Sequence, residues 1–154
     1  MIIAILALTA IAKTPGIVMH YNEYEGHDNF WVKPPEVVIC KSQTRFSKEQ
    51  VSHVVNNVWR EEIDKITVRS SCSYEPEYGI IKIIDGKYLH PQEIGRANLI
   101  YADVFRKGKH VEMYKASVVQ LDTQVDDITL LVHELGHAFG FYHYDKKHDV
   151  MNVR

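Results

Sequence analysis

The sequence has few cysteines, a short apolar run and almost no net charge, and each shortage excludes a class of protein. Two cysteines in 154 residues leave no Cys-x-x-Cys pair, which excludes a sulfur-ligated metal framework. The apolar run over residues 1–12 is too short for a transmembrane helix, which needs about 20 residues. With 18 basic and 20 acidic side chains, the net charge of -2 offers no electrostatic attraction for nucleic acid or an anionic membrane.

The remaining composition is that of one globular domain, since 45% of the residues are hydrophobic and 25% are charged. The chain divides into an apolar N-terminal segment (1–12), a polar, irregular lead-in (13–35) and a folded domain (36–154). We expect no transmembrane span and no nucleic acid partner. The oligomeric state is not predicted.

Two features bear on the compartment. Ala10-Ile11-Ala12 has the small-x-small form of a signal-peptidase site, but no basic residue precedes the apolar run, so residues 1–12 are either a short signal or anchor or a packing segment. This slightly favours a secreted or extracytoplasmic protein. Cys40 and Cys72 are either one disulfide or two buried thiols, and their spacing does not decide between them.

Hydrophobic periodicity predicts an α/β (α+β) domain with a mixed sheet and two main helices. Ser47 and Gln50 form a capping box at the start of the first helix. Its apolar stripe comprises Val51, Val54, Val55, Val58 and Trp59. The predicted strands are Glu36–Cys40, Ile66–Arg69, residues 79–84, residues 99–105 and residues 110–121, the last holding one or two strands.

Nine histidines are many for this length, and three of them lie together in the segment His133–His143, HELGHAFGFYH. Most of this segment lies on a second helix, which begins near Asp126 and Asp127 and carries an apolar stripe along one face. His133 and His137 lie one turn apart on the face opposite that stripe. An unbroken helix would carry His143 to the wrong side. We therefore expect Gly140 to end the helix in a left-handed conformation, so that three imidazoles meet and leave a fourth ligand position open, as in a catalytic Zn²⁺ site.

Glu134 follows the first histidine, in a position to flank the ion rather than bind it. A carboxylate there can accept a proton from a water that zinc acidifies and deliver it to a leaving amine. The predicted reaction is metal-assisted amide hydrolysis of a protein or peptide substrate. Three hydrogen-bonded core histidines, or a closed structural zinc site completed by Asp145 or His148, are the non-catalytic interpretations of the same segment.

The string HExxHxxGxxH, with Met151 eight residues after His143, resembles the zinc signature and Met-turn of the metzincin metalloproteases, the matrixins in particular. The resemblance covers residues 36–154 and implies a zinc endopeptidase with a twisted mixed sheet. It also implies that Met151 underlies the ligands and that substrate lies along an edge strand, which we place within Lys109–Tyr114. Matrixins usually have a small residue directly after the third histidine, whereas this sequence has Tyr144 there. The sequence ends three residues after Met151, so no specificity pocket is predicted.

Two other functions fit part of the pattern. Small bacterial endoribonucleases resemble this chain in length and in the spacing HxxxHxxxxxH, but they generally have a Gly-type residue at the position of Glu134 and lack a methionine like Met151. A zinc-binding homologue without catalytic activity is the third possibility, because the sequence is short after Met151. Glu134 and Met151 favour the protease.

Overall fold

The computed structural model of the chain describes residues 19–22, 27–86, 89, 92–106, 108–122, 128–141 and 143. Within these residues one mixed sheet carries two helices, which confirms the predicted α+β class. The strands are β1 (Met19–Asn22), β2 (His27–Trp31), β3 (Glu36–Cys40), β4 (Ile66–Arg69), β5 (Ile80–Asp85), β6 (Gly95–Arg106) and β7 (Lys109–Leu121). The helical segments are a short 3-10 turn (Lys41–Gln43), α1 (Lys48–His53) with a π-helical continuation (Val54–Trp59), and α2 (Ile128–Phe139).

Strand β7 organises the sheet. Its second half pairs in parallel with β5, which is followed by β3 and then β4, also in parallel. Its first half pairs in parallel with β2, while β6 runs antiparallel along its other side over the whole length. A bulge leaves Lys115 without a partner on β6, and it separates the two halves. The stretch 110–121 is therefore one strand with two parallel neighbours.

The edge strand was predicted in the wrong place. Residues Val111–Tyr114 pair with β6 on one side and with β2 on the other, so they lie inside the sheet. Within the described residues β6 pairs with β7 alone, and it is the edge on that side. The prediction failed because the alternation of β7 shows that it is a strand, but not which strands lie beside it.

Part of the predicted irregular lead-in, residues 19–22 and 27–31, is regular structure. Strands β1 and β2 form an antiparallel hairpin within residues 13–35, and β2 extends the sheet. Trp31 at the end of β2 is fully buried, and its indole Nε1 donates a hydrogen bond to the Ala138 carbonyl oxygen at 3.0 Å. The predicted segment 1–12 lies outside the described residues.

Both faces of the central parallel strands are buried, as is usual for parallel strands, but different elements cover the two faces. One face, which we call the helix-side face, packs against α1 and α2 and includes Val37, Ile39, Ile81, Ile83, Val119 and Leu121. The opposite face, the loop-side face, has a smaller apolar cluster of Val38, Cys40, Ile84 and Val118. It is covered by Cys72 and Tyr74 from the loop between β4 and β5, residues 70–78, which we call the 70–78 loop.

Helix α1 begins with the predicted capping box between Ser47 and Gln50. Its apolar stripe is partly as predicted, since Val51, Val54 and Val55 are fully buried. Val58 departs from the prediction and is 43% exposed. The cause is the change from α- to π-helical turns after His53, which shifts the phase of the stripe.

Cys40 and Cys72 form a disulfide that ties β3 to the 70–78 loop. This decides between the two possibilities that the sequence left open. Among the described residues, no helix combines the length and the hydropathy needed to cross a membrane.

Candidate metal centre

Helix α2 separates an apolar face from a face that carries imidazoles. Leu131, Leu135, Ala138 and Phe139 are fully buried against the helix-side face of the sheet. His133 and His137 are only half-buried, one turn apart on the other side. Packing of the apolar stripe thus fixes the direction in which the two rings point.

The helix ends as expected at Gly140, whose φ is 102°. The Gly140 amide donates to the His137 carbonyl at 2.9 Å, and the Phe141 amide donates to the Gly136 carbonyl at 3.0 Å. These two bonds form a Schellman motif, which requires a left-handed residue where a side chain would be strained. The chain then turns back and brings His143 to the other two histidines.

The three Nε2 atoms converge on one point. They are 3.0 Å apart for His133 and His143, 3.0 Å for His137 and His143, and 3.2 Å for His133 and His137. Each imidazole nitrogen has one lone pair or one hydrogen in the plane of its ring, so three that face each other cannot all be satisfied mutually. Tetrahedral nitrogens about 2.0–2.1 Å from a zinc ion would be about 3.3 Å apart, close to these spacings. The three histidines are close enough to bind a metal ion.

The local environment favours the neutral, metal-binding form of two of these rings, those of His137 and His143. Burial lowers the pKa of His137 to about 4; the bond to the Phe141 carbonyl opposes this shift, and the neighbouring His133 and His143 add to it. Burial and then His133 lower the pKa of His143. The Nδ1 of His137 lies 2.8 Å from the Phe141 carbonyl oxygen. Donation of the Nδ1 hydrogen to that oxygen leaves the lone pair on Nε2.

Glu134 is a residue of α2, and its side chain lies against β6 and is 6% exposed. Burial, and then the negative charge of Glu93, raise the pKa of Glu134 to about 7. Its carboxylate lies directly against Gly95, the first residue of β6: a Cβ atom added at Gly95 would be 2.6 Å from Oε1 of Glu134. The absence of a side chain at Gly95 therefore leaves the room that this carboxylate occupies.

Some residues singled out in the sequence lie outside the described part of the chain, namely Asp126, Asp127, Tyr144, Asp145, His148 and Met151. Conversely, the structure adds Trp59, Gly95 and Phe141 to the surroundings of the site. No local spacing indicates the first two. The position of Phe141 immediately after Gly140 was the one available signal for the third.

Comparisons of the chain with known protein families, with curated proteins and with solved structures found no match.

Proposed function

We propose that the chain is a zinc-dependent endopeptidase in which His133, His137 and His143 bind the metal and Glu134 is the general base and acid. The convergence of three Nε2 atoms, together with the buried carboxylic acid Glu134 that follows His133 on the same helix, carries this proposal. Three neutral imidazoles are a donor set typical of catalytic zinc, and the resemblance to the metzincin signature points the same way.

When bound, zinc supplies Lewis acid chemistry, which acidifies water and polarises a carbonyl group. The residues of the chain move the proton. Glu134 takes it from the attacking water and then transfers it to the nitrogen of the scissile bond as the amine leaves. Because burial favours the neutral form of its carboxyl group, Glu134 can hold a proton between the two transfers.

The edge strand supports a peptide as the substrate. An extended peptide can add to the free edge of a sheet through backbone hydrogen bonds. In the described part of the chain β6 is such an edge, and its first residue contacts Glu134. A peptide lying along β6 would also meet Ile100, Tyr101 and Phe105, which are exposed.

The disulfide between Cys40 and Cys72 suggests where the protein acts. Structural disulfides form and persist in oxidising compartments. We infer that the endopeptidase works outside the reducing cytosol.

The test is cleavage of a quenched peptide library by the zinc-loaded protein. Chelation should abolish cleavage, and Glu134→Gln should lower the rate about 100- to 10,000-fold while zinc stays bound, because only the proton carrier is removed. The matched control is Glu49→Gln, an exposed glutamate on α1, which should leave the rate unchanged.

A second variant addresses the position of the carboxylate. Gly95→Ala would place a methyl carbon 2.6 Å from Oε1 of Glu134, so the carboxylate must move, and a displacement of about 1 Å can lower a rate about 100-fold. Zinc affinity should not change, because none of the ligands is touched. A zinc-loaded wild type that cleaves structured RNA and no peptide would instead favour the endoribonuclease, and one that cleaves neither would favour a binding protein.

A further inference from the structure

The π-helical segment after α1 has a consequence for the metal centre. Successive residues of an α-helix are rotated by 100°, so an unbroken α-helix would place Val58 at the centre of the stripe formed with Val51, Val54 and Val55, and Trp59 only at its edge. In the structure the Arg60 amide bonds to the Val55 carbonyl, five residues back, and the turn is wider. Trp59 thereby takes the position that Val58 would have held.

Trp59 contacts the chain at two points next to the histidines, directly before His133 and in the turn between His137 and His143. Its Nε1 donates to the Val132 carbonyl oxygen at 2.9 Å, directly before His133. Its ring stacks on Phe141, with centroids 4.7 Å apart and planes inclined by 26°. Phe141 in turn places the carbonyl oxygen that accepts from Nδ1 of His137. One side chain thus connects α2 to the turn that leads to His143.

We propose that Trp59 is a positioning residue of the metal centre, and that the π-helical turn serves to direct it at α2. The inference rests on the proposed metal site, but not on the reaction. Trp59 is not one of the three candidate ligands. It acts through Val132 and Phe141, which hold the backbone from which His133, His137 and His143 project, so it sets how closely the three Nε2 atoms approach.

The other tryptophan provides a matched control. Trp31 also donates its indole hydrogen to an α2 carbonyl, that of Ala138, and it is fully buried. Its aromatic neighbour is Tyr114, in the sheet, rather than a residue of the turn after α2. Loss of either indole should reduce the stability of the fold, whereas loss of Trp59 alone should weaken metal binding.

The experiment is a Co²⁺ titration of the folded, full-length chain, followed by visible absorption, for Trp59→Leu, Trp59→Phe and Trp31→Phe. Loss of residues that orient metal ligands typically lowers affinity about 10- to 100-fold, which is the effect expected for Trp59→Leu, together with a changed spectrum. Trp59→Phe keeps a ring to stack on Phe141 and should recover part of the affinity. Trp31→Phe should stay within about threefold of wild type. Urea unfolding of the metal-free proteins measures stability separately.

The outcomes separate this inference from the proposed function. A wild type that binds Co²⁺ together with a folded Trp59→Leu that binds it equally well overturns the role of Trp59 and leaves the metal site standing. A wild type that binds no Co²⁺ overturns the metal site and the role of Trp59 together. If Trp59→Leu does not fold, Phe141→Leu removes the stacking partner instead, and unchanged affinity in that variant overturns the inference.

Discussion

The helix-side and loop-side faces of the sheet differ in what covers them. Two helices bury the helix-side face, and the core there extends without interruption from β3 to α2. The loop-side face has a smaller cluster of four buried apolar residues, and in the described part of the chain the 70–78 loop packs against it. The candidate metal centre belongs to the helix-side face, on the outer surface of α2.

On the loop-side face a disulfide, hydrogen bonds and an ion pair hold the 70–78 loop to the sheet, in addition to apolar packing. The disulfide holds Cys72, and the Cys72 amide donates to Oε1 of Gln43 at 2.6 Å. Lys82 on β5 is fully buried, and its ammonium group donates to the carbonyl oxygens of Ser73 at 3.1 Å and Glu75 at 2.6 Å. It also pairs with Glu77, which bonds to Arg69 as well. A buried charge is tolerated there because the loop supplies its partners.

The difference indicates a division of roles. Apolar packing on the helix-side face fixes α2 and hence the histidines. The disulfide and the buried ammonium group fix the 70–78 loop on the other side of the sheet. Substitutions on the loop-side face should therefore lower stability and leave metal binding unchanged.

The largest expected effect comes from neighbouring residues on β5 that point to opposite faces. Ile83 and Ile84 are both fully buried, Ile83 in the helix-side core and Ile84 in the smaller cluster. Ile83→Ala should lower the free energy of unfolding by about 4 kcal/mol, and Ile84→Ala by about 2–3 kcal/mol, because the less extensive cluster loses fewer contacts. Urea unfolding of the two variants measures the difference. Equal losses would show that the faces pack alike.

The next effect concerns the disulfide. Replacing both cysteines, Cys40→Ala with Cys72→Ala, opens a loop with a sequence separation of 32, and the chain-entropy model gives a loss of about 3.7 kcal/mol. Co²⁺ affinity of the folded protein should be unchanged, because the loop-side face does not contact α2. A clear loss of metal affinity in the folded variant would contradict the division of roles.

The smallest effect is the loss of the carboxylate beside Lys82. Hydrogen bonds from Lys82, and then from Arg69, hold the pKa of Glu77 below its usual value of 4.5. The stabilisation by Glu77 is therefore present above pH 4.5, the value in the unfolded chain, and is lost as the pH falls through the lower folded value. Glu77→Gln should cost about 1 kcal/mol at pH 7, less than a fully buried pair because Glu77 is 38% exposed.

The pH dependence checks this assignment. The difference in unfolding free energy between wild type and Glu77→Gln should shrink towards zero as the pH is lowered from 4.5 through the lower pKa of Glu77 in the folded protein. The control is Lys65→Met, which removes the exposed Lys65 from its pair with Glu36 at 3.9 Å and should cost less than about 0.5 kcal/mol. A Glu77→Gln effect independent of pH would show that the charge is not what stabilises the loop.

Much of the fold was predictable wherever local periodicity carries the information. The capping box at Ser47, strand β3 and strand β4 are where the sequence places them. Long-range pairing was not predictable: β2 joins β7 across the chain, although its sequence is polar, and β6 starts at Gly95 rather than near Leu99. Lys82 interrupts an apolar run and suggests a solvent-facing position, yet partners from the 70–78 loop allow it to be buried.

The candidate site likewise combines residues that local sequence predicts with residues that only the tertiary structure brings close. His133, His137, Gly140 and His143 lie close together in the sequence, and helix geometry with one left-handed turn suffices to bring them together. Trp59 reaches Val132 across a separation of 73 residues, which no spacing rule indicates. Gly95 is likewise visible only once β6 lies beside α2.

X-ray absorption spectroscopy of the zinc-loaded protein shows whether the three imidazoles form a metal centre. We expect one zinc ion per chain with three histidine nitrogens at about 2.0–2.1 Å and no sulfur ligand. His137→Ala should abolish stoichiometric binding. A wild type that binds no zinc, or a zinc ion whose coordination is the same in wild type and His137→Ala, would contradict the proposed metal centre.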